Sequence, residues 1–132
     1  MSQGNVELRD LALTAADALN RGDLDDFLVV AHPEVEFTSM IAEAEGETFR
    51  GHDGVRKWWE SVHNAFTEVR WDFLEVRTQG DRGVSKLRIQ GTLSGVEVSQ
   101  TMWMAVVMRD GKAVWWGFFR SEAEALTAAG LP

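Results

Sequence analysis

Along residues 6–20 the apolar positions recur at helical spacing: Leu8, Leu11, Ala15 and Leu19 share one face, with Ala12 and Ala16 beside them. Gly22 ends that predicted helix. Asp23 is placed to cap a second, whose apolar face is Leu24, Phe27, Leu28 and Ala31 and which Pro33 stops. The period then changes. Val35, Phe37 and Ser39 alternate with Glu34, Glu36 and Thr38, the two-residue repeat of a half-buried strand. Residues 53–66 return to helical spacing, with Val55, Trp58, Trp59, Val62 and Phe66 in one stripe. Four strand segments follow, 68–77, 83–92, 96–109 and 112–120, separated by Gly80-Asp81, Ser94-Gly95 and Asp110-Gly111. Such short separators predict an antiparallel meander. Asp110-Gly111 in particular predicts a type I′ hairpin turn, because glycine accepts the positive φ that turn demands. Ser121 with Glu124 three residues on marks the start of a last helix, and Gly130 its end.

Three helices followed by a run of antiparallel strands is an α+β layout with helices on one sheet face. The last two strands are apolar on both faces. Met102, Met104, Val106 and Met108 oppose Trp103, Ala105 and Val107, and Val114, Trp116 and Phe118 oppose Ala113, Trp115 and Phe119. The second face therefore needs a cover, and a second copy of the sheet is the economical one, so a homodimer through the outer face is expected. The alternative is that the C-terminal helix and loops hide it.

Composition narrows the partners. At 132 residues the chain is expected to be a single domain, 1–132, and its six Trp and seven Phe supply bulky core material. The absence of Cys removes disulfides, thiol nucleophiles and soft metal ligands. A net charge of −8 argues against nucleic acid, whose phosphates need clustered Lys and Arg. No apolar run approaches the ~20 residues of a membrane span and no secretory pattern opens the chain, so a soluble, cytoplasmic protein is expected.

Candidate chemistry is sparse. Glu43, Glu45 and Glu47 stand two apart, but no His or Asp completes a metal site, and a solvated loop or edge hairpin is the better reading. His32, His52 and His63 have no metal-ligand spacing, and no GxSxG, P-loop or GxGxxG motif occurs, so neither metal nor cofactor is expected. Trp58-Trp59 and Trp115-Trp116 read either as a stacking platform for a flat ligand or as core.

The segments FRGHDGVRKWWESVHNAF at 49–66, NRGDLDDF at 20–27 and the DGK…EALTAAGL tail resemble the nuclear transport factor 2-like superfamily and, within it, bacterial SnoaL-like (polyketide cyclase/ketosteroid isomerase-like) proteins. The resemblance implies a cone: a strongly curved antiparallel sheet wrapped around the three N-terminal helices, with a short C-terminal helix and a mostly apolar pocket. Ketosteroid isomerases of this fold use a Tyr, an Asp base and a protonated Asp, because a carboxylate must move the proton while two donors hold the dienolate oxygen. Those positions fall here on Ala15, Ser39 and Met104, and the chain has no Tyr, so that mechanism is rejected. The two Asp and Arg of epoxide hydrolases of this fold are not matched either.

The same register implies a pocket lined by Leu87, Ile89, Met102, Met104, Trp116 and Phe118, with Trp58, Trp59 and His63 from the third helix and Ser39 and Phe49 at its mouth. Arg120 ends an otherwise apolar face, either as the anchor of a ligand carboxylate or enolate oxygen or paired with Glu36 or Glu122. His63 is the candidate general base, against a plain helix histidine. Three functions follow: a binder of a small apolar or aromatic ligand, a cofactor-independent cyclase, isomerase or dehydratase using His63 and Arg120, or an interaction domain whose cone its own side chains fill.

Overall fold

These signals fold into four helices and one sheet in the described residues, 3–39 and 47–132 of a computed structural model. The elements run α1 (Gln3–Arg21), α2 (Leu24–Val30), β1 (Ala31–Thr38), β2 (Thr48–Arg50), α3 (Gly51–Ala65), β3 (Phe66–Gln79), β4 (Arg82–Leu93), β5 (Val96–Arg109), β6 (Lys112–Phe119) and α4 (Glu122–Ala129). None of these helices is long and apolar enough to cross a membrane. Of the acidic run, Glu43 and Glu45 lie outside the described residues.

Local chemistry explains the caps and turns. Asp23 accepts the Asp26 N–H at 3.1 Å and starts α2. Ser121 accepts the Glu124 N–H at 3.2 Å and starts α4, which ends on left-handed Gly130. Asp110 and Gly111 take φ of 56° and 76°, both left-handed as a type I′ turn demands, and Ser94-Gly95 repeats the arrangement.

The sheet order is β2-β1-β6-β5-β4-β3. β3 to β6 form the expected antiparallel meander. β1 joins β6 in parallel, so the sheet is mixed and not wholly antiparallel. The chain between them passes through α3 and the meander, and a crossover of that length leaves direction free. Helix α2 stops at Val30, before Pro33, which lies inside β1 where the β1–β6 register shifts. A residue without an N–H is tolerated at such an irregularity. Helix α3 begins at Gly51, and Phe66 belongs to β3.

Helices α1, α2 and α3 cover the inner face of the sheet. Leu8 packs onto Gly83 of β4, where an added Cβ would also stand 3.0 Å from the Arg77 carbonyl oxygen. In β6 the pairing jumps from Val107–Trp115 to Met108–Ala113, leaving Val114 as a bulge. The bulge turns Ala113 to the inner face beside Trp116 and Phe118, where strict alternation puts it outside. On the outer face, Ala125 and Ala129 of α4 bury Val84 and Ala105, with Trp103, Trp115 and Phe119 around them. Arg82 Nη1 donates to the Ala129 carbonyl at 2.8 Å and closes the end of α4. The C-terminal helix thus takes part of the surface that sequence alone assigned to a second chain.

Candidate functional site

A cavity of about 50 Å³ lies between α1 and the inner face of the sheet. The stripe of α1 supplies Leu8, Leu11, Ala12, Ala15 and Leu19, while Phe27 and Val30 of α2 and Trp58 of α3 close the top. Inward positions of the strands supply Trp71, Phe73, Leu87, Met104, Val106, Ala113, Trp116 and Phe118. No titratable side chain is among these described residues. Around it the aromatic rings interlock: Trp58 lies 5.9 Å from Phe27 and 6.4 Å from Phe118, and Trp116 stacks on Phe37 at 4.3 Å.

Five of the pocket residues expected from sequence line this cavity: Trp58, Leu87, Met104, Trp116 and Phe118. Ile89 and Met102 are buried on the same strands but outside the lining, and Phe49 stacks on Phe37 at 5.1 Å. Ser39 is buried with its oxygen 3.0 Å from Trp58 Nε1, whose N–H it accepts. Trp59 faces Phe27 and His63 instead of the cavity. Ala15 and Met104, on which the resemblance places the isomerase Tyr and protonated Asp, both line the wall, and neither side chain is a donor.

The two catalytic candidates are elsewhere. His63 stacks on Trp59 at 4.6 Å, and its Nδ1 donates to the Trp59 carbonyl at 2.9 Å, one helical turn back. Arg120 is exposed just beyond β6 and outside the lining. The carboxylates expected beside it, Glu36 and Glu122, pair with Arg50 at 3.2 Å and Arg77 at 2.8 Å. A helical stripe and a strand end do not specify which flank a boundary residue takes, and both candidates sit at such boundaries. The other histidines bind backbone: His52 Nε2 donates to the Ala31 carbonyl at 2.8 Å, and His32 Nδ1 accepts the Glu34 N–H at 3.0 Å.

Perturbed titration occurs at the α1–α2 corner. Arg21 reaches Asp26 at 2.7 Å, Asp17 at 2.8 Å and Asp23 at 3.0 Å, and Asp26 first, then Asp17 and Asp23, raise its already high pKa. The Asp26 backbone N–H holds the Asp23 carboxyl below the usual range, and Arg21 adds to the effect. These exposed groups close the corner; none lines the cavity.

Sequence reasoning missed the α1 wall and, above all, Trp71. Trp71 and Phe73 alternate with Asp72, a strand signal that did not by itself say which cavity they face. Trp71 is 2% exposed and its Nε1 has no hydrogen-bond partner among the described residues. Its backbone is gripped from α1: Asn20 Nδ2 donates to the Trp71 carbonyl at 2.8 Å, and the Trp71 N–H donates to Asn20 Oδ1 at 2.7 Å.

The family model of the SnoaL-like domain matches residues 13–116. No curated protein matches the chain. Among solved structures, TerC co-crystallised with polyporic acid is 24% identical with a TM-score of 0.77, over 93% of this chain and 97% of that one. A nuclear transport factor 2-like protein of unknown function from Burkholderia pseudomallei is 22% identical with a TM-score of 0.75, over 98% of each chain. A candidate polyketide cyclase from Xanthomonas campestris pv. campestris is 14% identical with a TM-score of 0.78, over 95% of this chain and 98% of that one. At these identities the likeness is one of fold: four helices on a curved, unclosed sheet of the cone-like kind.

Proposed function

The chain belongs to the SnoaL-like domain family, and on that footing we propose that it binds one small, mainly apolar or aromatic molecule between α1 and the sheet and does not catalyse isomerase chemistry. The observation that carries this reading is the lining, uniformly apolar or aromatic among the described residues and without an acid or base. Such a wall favours transfer of an apolar body out of water and offers nothing to move a proton. Co-crystallisation of TerC with polyporic acid supports a ligand-holding role for the fold. Since His63 and Arg120 lie off the cavity, the catalytic alternative has no acting group there.

Ligand sites usually measure ~300–1,000 Å³, so a cavity of about 50 Å³ must widen as α1 moves off the sheet. Native mass spectrometry of freshly purified protein, before and after denaturation, tests the reading. A retained compound near one per chain is the expected result. The small volume favours a second reading, a cone filled by its own side chains and used as an interaction domain. A Met104→Ala variant separates the two. If acetophenone binds only after that truncation, the native cone is filled and the binding function is lost.

The same reading brings two chains together through the outer sheet face. There α4 leaves Trp103, Val107 and Trp115 only half-buried. Light scattering at micromolar concentration is expected to give the mass of two chains; a single-chain mass removes the dimer.

A further inference from the structure

Among the described residues, three buried side-chain polar atoms have no hydrogen-bond partner: Trp71 Nε1, Ser85 Oγ and Arg88 Nε. Only Trp71 of these three residues lines the cavity. The neighbouring indole, Trp58, spends its N–H on Ser39 at 3.0 Å. Asn20 holds the Trp71 backbone, and the buried Trp71 ring packs 5.8 Å from that of Trp58. An unmade donor in an apolar interior is costly, and a group that accepts from it recovers that cost. A donor fixed in advance also loses little freedom when it is used.

We propose that Trp71 Nε1 is the polar anchor of the cavity and that the ligand is an uncharged, mainly apolar molecule carrying one neutral acceptor oxygen, such as a ketone or ester carbonyl. This rests on the small-molecule reading above and names the ligand class for it. A hydrocarbon leaves the donor unpaired. A protonated amine has only donors to set against another donor, and its charge finds no counter-ion in the described lining. A carboxylate needs several donors or a cation once buried, and the described lining carries no charged side chain, only the neutral indole N–H groups of Trp58, Trp71 and Trp116, the first already given to Ser39. The anchor therefore differs from the Arg120–carboxylate pairing that sequence suggested.

The test uses two probes of nearly one shape, acetophenone and α-methylstyrene, in which C=O is replaced by C=CH2, with benzoate as the charged comparison. Affinities are measured for the native protein and for Trp71→Phe. Removing the indole also changes cavity volume, but that change acts on both shapes alike and cancels in the ratio of their affinities. The preference for the ketone is expected to fall by roughly three- to tenfold in the variant, the size of one net hydrogen bond. In the native protein the Trp71 indole N–H resonance is expected to move downfield with acetophenone and not with α-methylstyrene. That resonance is assigned through the backbone, so this readout stands even where the variant fails to fold. An unchanged ratio in a folded variant, a Trp71 resonance indifferent to bound ketone, or benzoate binding as tightly as acetophenone overturns the anchor. If neither neutral probe binds the native protein, the binding function fails with it. If both bind without a Trp71 effect, the anchor alone fails.

Discussion

Trp58→Ala is expected to lower stability by about 4 kcal/mol, the range found for deleting a buried Trp or Phe, and the midpoint of thermal unfolding by roughly 10–20 °C. Trp58 is 1% exposed and its ring sits at the crossing of α3, α2 and the sheet. It meets Phe27 at 5.9 Å, Phe37 at 5.7 Å, Trp71 at 5.8 Å and Phe118 at 6.4 Å, and it donates to Ser39. Its removal joins a new void to the cavity already present, and rings anchored on several elements cannot collapse into it. The adjacent Trp59 is the control. It is 8% exposed and its ring partners are Phe27 and His63. Trp59→Ala should therefore cost clearly less. Urea titration of both variants decides the matter: equal losses would mean that the ring cluster around Trp58 adds nothing beyond the burial of one indole.

That contrast shows where sequence was legible. The pair Trp58-Trp59 falls on one apolar stripe, and periodicity treats the two alike because it registers only direction from the helix axis. What separates them is the neighbours: both rings meet Phe27, but Phe37, Trp71 and Phe118 reach Trp58. Signals that act within a few residues were readable: the Asp110-Gly111 turn, the Ser121 cap and the Gly130 stop each depend on local backbone and side chain alone. Features set by distant pairing were not. The Val114 bulge reverses Ala113 because β5 and β6 slip by one residue, and β1 lies parallel to β6 after a long crossover. The candidate site divides likewise. The inward strand positions Leu87, Met104, Trp116 and Phe118 follow from alternation within the resembled register. The wall facing them is built by α1, whose apolar stripe says that it is buried but not against what.

Asn20→Ala is expected to cost about 2–3 kcal/mol, with the loss concentrated at the edge of the sheet. β3 is the last strand in the order and pairs on one side only, with β4. The Trp71 N–H and C=O point away from β4, so they belong to an edge that must be covered. The Asn20 amide does this as a neighbouring strand would, giving one donor and accepting one, at 2.8 and 2.7 Å. Alanine removes both bonds at once. Each part-buried group then loses a partner worth ~0.5–1.5 kcal/mol net, with some desolvation uncompensated. Aspartate is a poor substitute because it accepts from the N–H but presents no donor to the carbonyl. Hydrogen exchange supplies the local readout: the Trp71 amide should lose protection while amides in α3 keep theirs. A variant within about 0.5 kcal/mol of native stability, with Trp71 still protected, would show that this contact does not fasten α1. The functional consequence follows from placement. Helix α1 carries Leu8, Leu11, Ala12, Ala15 and Leu19 of the cavity wall, so loosening its C-terminal end should let acetophenone enter faster even as the fold weakens.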